Sequence, residues 1–176
     1  EGLPVFYTVE GGEVVGFDAA ATGYRMPTEA EWEWAARTDG NGNVLRYPWG
    51  EQMPPPEGAG NFADASVRNF MGAYIAAYDD SFLGTAPVAQ FPVNAHGMYD
   101  MAGNVSEWVH DFYGTMINLS TAVEVDPVGP ESGQYHTIKG SSWAHSGITE
   151  LRLAFRDFGD SARNDLGFRI ARYLEE

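Results

Sequence analysis

Between Tyr47 and Ala86 the chain runs through "YPWGEQMPPPEGAGNFAD" and "YDDSFLGTAP", with Pro54, Pro55 and Pro56 consecutive and few apolar residues at any repeating interval. Neither a helix nor a strand can be built on such a stretch. A loop of that length inside a domain needs something to organise it. The same character extends beyond it, because 21 Gly and 10 Pro in 176 residues place much of the backbone in turns. Disorder is excluded by a hydrophobic content of 44% and an aromatic content of 14%, enough to build a core. The length fits one domain.

Regular elements frame the irregular region. "VFYTVEGGEVVGF" alternates and pivots on Gly11-Gly12, which predicts a β-hairpin with a tight turn. In "RMPTEAEWEWAAR", Thr28 is a good N-cap and Glu31 follows at capping-box spacing. A helix is therefore expected up to about Arg37, with Glu29 and Glu31 at the positive end of its dipole and Ala30, Trp34 and Ala35 as its buried face. "GMYDMAGNVSEWVHDFYG", "YHTIKGSSWA", "LRLAFRD" and "GFRIARY" read as short strands and turns. No internal repeat is present. The fold class expected is α+β with irregular connections.

Charge and composition exclude several functions. Ten Lys and Arg against 25 Asp and Glu give a formal charge of −15, which repels phosphate backbones, so nucleic acid is not expected as a partner. No apolar run approaches the roughly 20 residues of a membrane helix, so direct membrane insertion is not expected either. The chain has no cysteine, which rules out disulfides, thiolate metal sites and thiol nucleophiles.

Four placements together carry a resemblance: "RMPTEAEWEWAAR" followed by "YPWG", then "GTAPVAQFPVNAHGMYDMAGNVSEW", then "KGSSWA", and finally "LGFRIA". In order and spacing they resemble the formylglycine-generating enzyme (sulfatase-modifying factor) superfamily, over roughly Gly23 to Arg172. The resemblance implies a C-type-lectin-like fold with a small twisted sheet and long loops pinned by calcium. It also implies that residues 1–176 form a single such domain lacking the family's usual N-terminal part.

Calcium takes about six to eight oxygens, from carboxylates, amides and backbone carbonyls. In "YDMAGNVSEW" the resemblance places one structural ion on the Asp100 side chain, the Gly103 and Val105 carbonyls and the Glu107 carboxylate. It places a second on the Asn61 side chain and Phe62 carbonyl with the Asp80 side chain and Phe82 carbonyl. Up to two ions are thus expected, the second ordering the Pro-rich region. Calcium use points to an extracytoplasmic or cell-surface setting.

In the formylglycine-generating enzyme, two cysteines shortly after the Gly-Gly-Ser motif bind copper(I) and activate oxygen. His145 and Glu150 fall near those places, and neither replaces a thiolate at copper(I). Sulfatase activation by that mechanism is excluded, and no catalytic residue is assigned. His145 beside Ser146 lacks a third group for a nucleophilic triad. His96, His110, His136 and His145 lack the spacing of a short metal motif. The related sulfoxide synthases of ergothioneine biosynthesis draw their iron histidines mainly from a separate helical domain, so an enzyme of that kind, or an accessory modification factor, would need residues outside this chain.

Trp143, Arg152, Arg156 and Arg169 occupy framework slots of the family motif, with Trp143, like Leu153, expected in the core and the arginines paired with acids or solvated. Between those slots lie His145, Ser146, Ile148, Phe155, Asp157 and Phe158, read as one ligand-binding face at the C-terminal side for a protein or small-molecule partner. Fixed framework alternating with mixed residues is similar to the variable proteins of diversity-generating retroelements. The expected function is a non-catalytic ligand-binding domain on a calcium-stabilised scaffold.

Overall fold

The structure is a computed structural model describing residues 2–114 and 123–173. Helix α1 (Glu29–Arg37) starts where the capping box predicts: Thr28 Oγ1 accepts the Glu31 N–H at 3.2 Å, and the Glu31 carboxylate accepts the Thr28 N–H at 2.8 Å. Arg25 forks the same carboxylate at 2.6 Å through both terminal nitrogens, tying the helix start to the preceding segment. The buried face differs from the expected one. It consists of Glu29, Trp32, Ala35 and Ala36, while Ala30 is exposed and Trp34 keeps 60% of its surface in water. Long-range partners decide the rotation. Trp32 donates its indole N–H to Glu107 at 2.7 Å, and Glu29 meets Arg156 at 2.6 and 2.8 Å.

Strands β1 (Tyr7–Glu10) and β2 (Glu13–Phe17) form the expected antiparallel hairpin, with Gly11 and Gly12 at φ 61° and 94°, conformations that favour glycine. The second sheet is mixed. It contains β3 (Ser106–Phe112), β4 (His136–Lys139), β5 (Arg156–Gly159) and β6 (Leu166–Phe168) in the order β5-β4-β3-β6, with β6 parallel to β3 and the other pairs antiparallel. In "LRLAFRD" the strand begins only at Arg156, yet the turn before it still sends Leu151 and Leu153 into the core.

Helix α1 packs on β3 and β4, and the main core gathers Trp32, Ala35, Ala36, Met101, Ala102, Val109 and Leu153. The aperiodic stretch has a core of its own, in which Tyr47, Phe62, Ile75 and Tyr78 pack with Leu151. Its backbone is organised by buried acids. Asp64 caps the 3-10 turn Ala65–Val67 by accepting the Ser66 N–H at 2.9 Å, and it also accepts the N–H of Asp80. No helix among the described residues is long and apolar enough to cross a membrane.

Candidate functional site

Lys139, the single lysine of the chain, ends β4 fully buried. Its ammonium donates to Glu33 at 2.7 Å and to the Phe155 carbonyl at 3.0 Å, with Glu29 at 3.6 Å. Together with Arg156 on Glu29, it fastens β4 and β5 to α1 immediately before the loop that begins at Gly140. These are charges paired inside the fold. The sequence reading did not single out Lys139, although a lone lysine beside "GSSW" was a visible signal.

The loop is held by its own hydrogen bonds. Ser142 donates its N–H to His145 Nδ1 at 3.0 Å, the His145 carbonyl accepts the Ala63 N–H at 3.0 Å, and Gly147 donates its N–H to Glu150 at 3.1 Å. Asp165 accepts the Ser142 hydroxyl at 3.0 Å and the Arg163 Nε–H at 3.0 Å. The acid thus contacts the serine and not the imidazole, so Ser142, His145 and Asp165 lack the order of a catalytic triad. Trp143, expected in the core, is only partly buried, and the tryptophan in the main core is Trp32 from α1.

The six residues read as one ligand face divide. His145, Ser146 and Ile148 lie in this loop, with Ile148 63% exposed. Asp157 and Phe158 are neighbours in β5 and therefore point to opposite faces of the sheet. Asp157 pairs with Arg163 at 2.8 Å. Phe158, 45% exposed, packs against Tyr113 at 4.6 Å and Tyr135 at 5.2 Å between ring centroids. Phe155 is half-buried. Tyr113 was missed because only the cross-strand geometry reveals its place.

The two loop pairs expected to hold calcium are adjacent. Gly103 packs so closely on Asn61 that a Cβ would stand 2.6 Å from the Asn61 carbonyl oxygen, and Asn104 donates its N–H to that oxygen at 2.9 Å. Among the described residues no three His, Asp or Glu side chains gather as a metal-ligating group, so an ion would rest mainly on amide and carbonyl oxygens. The Asn61 set fits a cation. Asn61 is 1% exposed; its Nδ2 donates to the Gly84 carbonyl at 2.7 Å while its Oδ1 is buried without a partner. Asp80 accepts the Phe62 and Phe82 N–H groups at 2.8 Å each, which brings both halves of the set together. Burial, with Asp64 nearby, pushes the Asp80 carboxyl up to about 6, the mark of a carboxylate short of positive charge.

The Asp100–Glu107 set fits less well. Glu107 is forked by Arg169 at 2.6 and 2.5 Å, and Asp100 accepts the Ala89 N–H at 2.8 Å through its side chain. A guanidinium already supplies the positive charge there. Pairing over such a sequence distance leaves no local signal, which is why Arg169 was read only as framework.

The model of the sulfatase-modifying factor enzyme 1-like domain matches residues 4–174. The chain belongs to this family. The formylglycine-generating enzyme of Thermomonospora curvata is 38% identical over 162 residues, covering 87% of this chain and 50% of that protein. The inactive C-alpha-formylglycine-generating enzyme 2 of Mus musculus is 35% identical over 156 residues, covering 85% and 43%. Among solved structures, Treponema denticola variable protein 1 superposes with a TM-score of 0.70 at 29% identity, over 89% of this chain and 50% of that one. This family member therefore has the loop-rich, C-type-lectin-like fold of the formylglycine-generating enzymes. It spans about half the length of the curated relatives it matches.

Proposed function

We propose that this family member is a non-catalytic ligand-binding domain whose loops are stabilised by calcium. The observation that carries the reading is the loop after Ser142, where the resemblance to the formylglycine-generating enzyme expects two thiolates. The chain has no cysteine, and the groups in those places, His145 and Glu150, bind their own loop's backbone. A self-contained loop on a rigid sheet suits recognition. The likeness to a variable protein supports the finer reading that the C-terminal region is diversified by a retroelement. Asn61 Oδ1, the Asp80 carboxylate and the Phe62 and Phe82 carbonyls would hold calcium, which when bound supplies positive charge to a buried acidic loop junction.

Two measurements test this reading. Given copper, oxygen and a sulfatase-type cysteine peptide, the purified chain is expected to yield no formylglycine; product above a metal-only control overturns the non-catalytic assignment. The flanking nucleotide sequence is expected to contain a near-copy of the 3′ coding end that differs at adenines. Its absence removes the retroelement and leaves the binding domain.

A further inference from the structure

Trp34 stands on the outer face of α1, packed against His96 with ring centroids 4.3 Å apart and ring planes tilted by 35°. It forms one wall of a cavity of about 450 Å³, whose other walls include Met98, Met101, Ile170 and Tyr173. That volume is within the range of small-molecule sites, and the walls are largely apolar and aromatic. The cavity runs from the exposed Trp34 to the core residues Trp32, Ala35 and Met101, and none of the residues read as ligand-binding or metal-binding lines it.

Its charges decide what it would hold. Three ionisable groups line it apart from the tyrosine: Glu31, Asp126 and Arg169. Arg169 is neutralised by Glu107, and Glu31 by Arg25. Asp126 is exposed and has no ion-pair partner among the described residues. The uncompensated charge at the mouth is therefore negative, in a chain of formal charge −15. Three aromatic rings in the walls, Trp32, Trp34 and Tyr173, add favourable π-faces for a cation, and Tyr173 already carries the Arg25 guanidinium at 4.3 Å.

We propose that this cavity binds a small organic cation with an apolar body, an aryl- or alkylammonium ion, its apolar part against Trp34 and the two methionines and its charge towards Asp126. The inference does not depend on the ligand face or on calcium.

The test titrates the native chain with benzyltrimethylammonium and, separately, with phenylacetate, an anion of similar size, following the indole N–H resonances. The expected result is a saturable shift of the Trp34 indole with the cation and a response at least about tenfold weaker with the anion. Asp126→Asn should weaken cation binding several-fold with an unchanged melting temperature, and Trp34→Ala should abolish it. Equal responses to the two probes, no saturation with the cation, or unaltered affinity in Asp126→Asn overturns the proposal. The two-probe comparison uses the unmodified chain, so it decides the matter even if Trp34→Ala fails to fold.

Discussion

Arg169 forks the carboxylate of Glu107 across 62 positions of sequence, at 2.6 and 2.5 Å, while Trp32 donates to the same carboxylate at 2.7 Å. One buried acid thus joins the C-terminal segment, β3 and α1.

The pair should respond unequally to removal of its two halves. Arg169→Met leaves a buried carboxylate whose charge is no longer compensated, at a cost of about 3 to 5 kcal/mol. Glu107→Gln keeps an acceptor for Trp32, and Arg169 can still donate to the carbonyls of Tyr99 and Asp100, so about 1 to 2 kcal/mol is expected. Urea unfolding of both variants checks the order. A Glu107→Gln variant less stable than Arg169→Met contradicts it.

Local chemistry was legible, and pairing at a distance was not. The capping box of Thr28 and Glu31 and the Gly11-Gly12 hairpin depend on neighbours in sequence, and both are where the pattern puts them. The face of α1 was misread because helical spacing alone allows either Trp32 or Trp34 to be buried. The choice fell to Glu107, and the burial of Glu29 to Arg156, which is 127 positions away. In the candidate site, resemblance brought Asn61 and Asp80 to attention, while the unpartnered Asn61 oxygen became visible only in three dimensions. The division between Asp157 and Phe158 was readable in principle. Consecutive strand residues alternate, but the start of β5 had to be known first.

Calcium should stabilise the chain through the Asn61–Asp80 loops. An ion that binds only the folded state adds RT ln(1 + [L]/Kd), about 2.7 kcal/mol at a hundredfold excess over Kd. The melting temperature is expected to rise with calcium and fall with chelator, and Asp80→Asn should remove most of that difference. In Glu107→Gln the calcium response should persist. If chelator has no effect, the assignment of an ion to these loops fails; if Glu107→Gln alone loses the response, the ion belongs to the other set.

Asp111 should make stability depend on pH. Burial raises its carboxyl from 3.8 to about 6, with Glu29 close by and Arg156 opposing the shift; its Oδ2 accepts the Glu29 N–H at 2.6 Å. Because the folded-state value lies above the unfolded one, the folded chain binds the proton more tightly. Ionised Asp111 therefore costs stability above about pH 6, and that cost is relieved as pH falls from 6 towards 3.8. The gap corresponds to on the order of 3 kcal/mol at most. Asp111→Asn, which keeps an oxygen for the Glu29 N–H, should be more stable than the parent at pH 7.5, with an advantage that shrinks on acidification through pH 6. Taking the difference between the two proteins removes the opposite contribution of His110, whose pKa burial lowers. An advantage that is constant with pH argues against an elevated Asp111.

The neighbours Asp157 and Phe158 should separate in a binding experiment. Phe158 offers a half-exposed ring backed by Tyr113 and Tyr135, the form of an aromatic anchor, whereas Asp157 is held by Arg163 on the other face of β5. Peptides selected from a displayed library on the native chain provide the probe. Phe158→Ala should weaken their capture by about 2 kcal/mol or more. Its effect on folding should be modest, since much of the ring is already in water. Asp157→Asn should leave capture nearly unchanged. Leu153→Ala, which empties a core position, should instead lower stability by about 2 to 5 kcal/mol and serves as the folding control. Capture that survives Phe158→Ala but is lost in a folded Asp157→Asn variant would place the binding surface on the opposite face of the sheet.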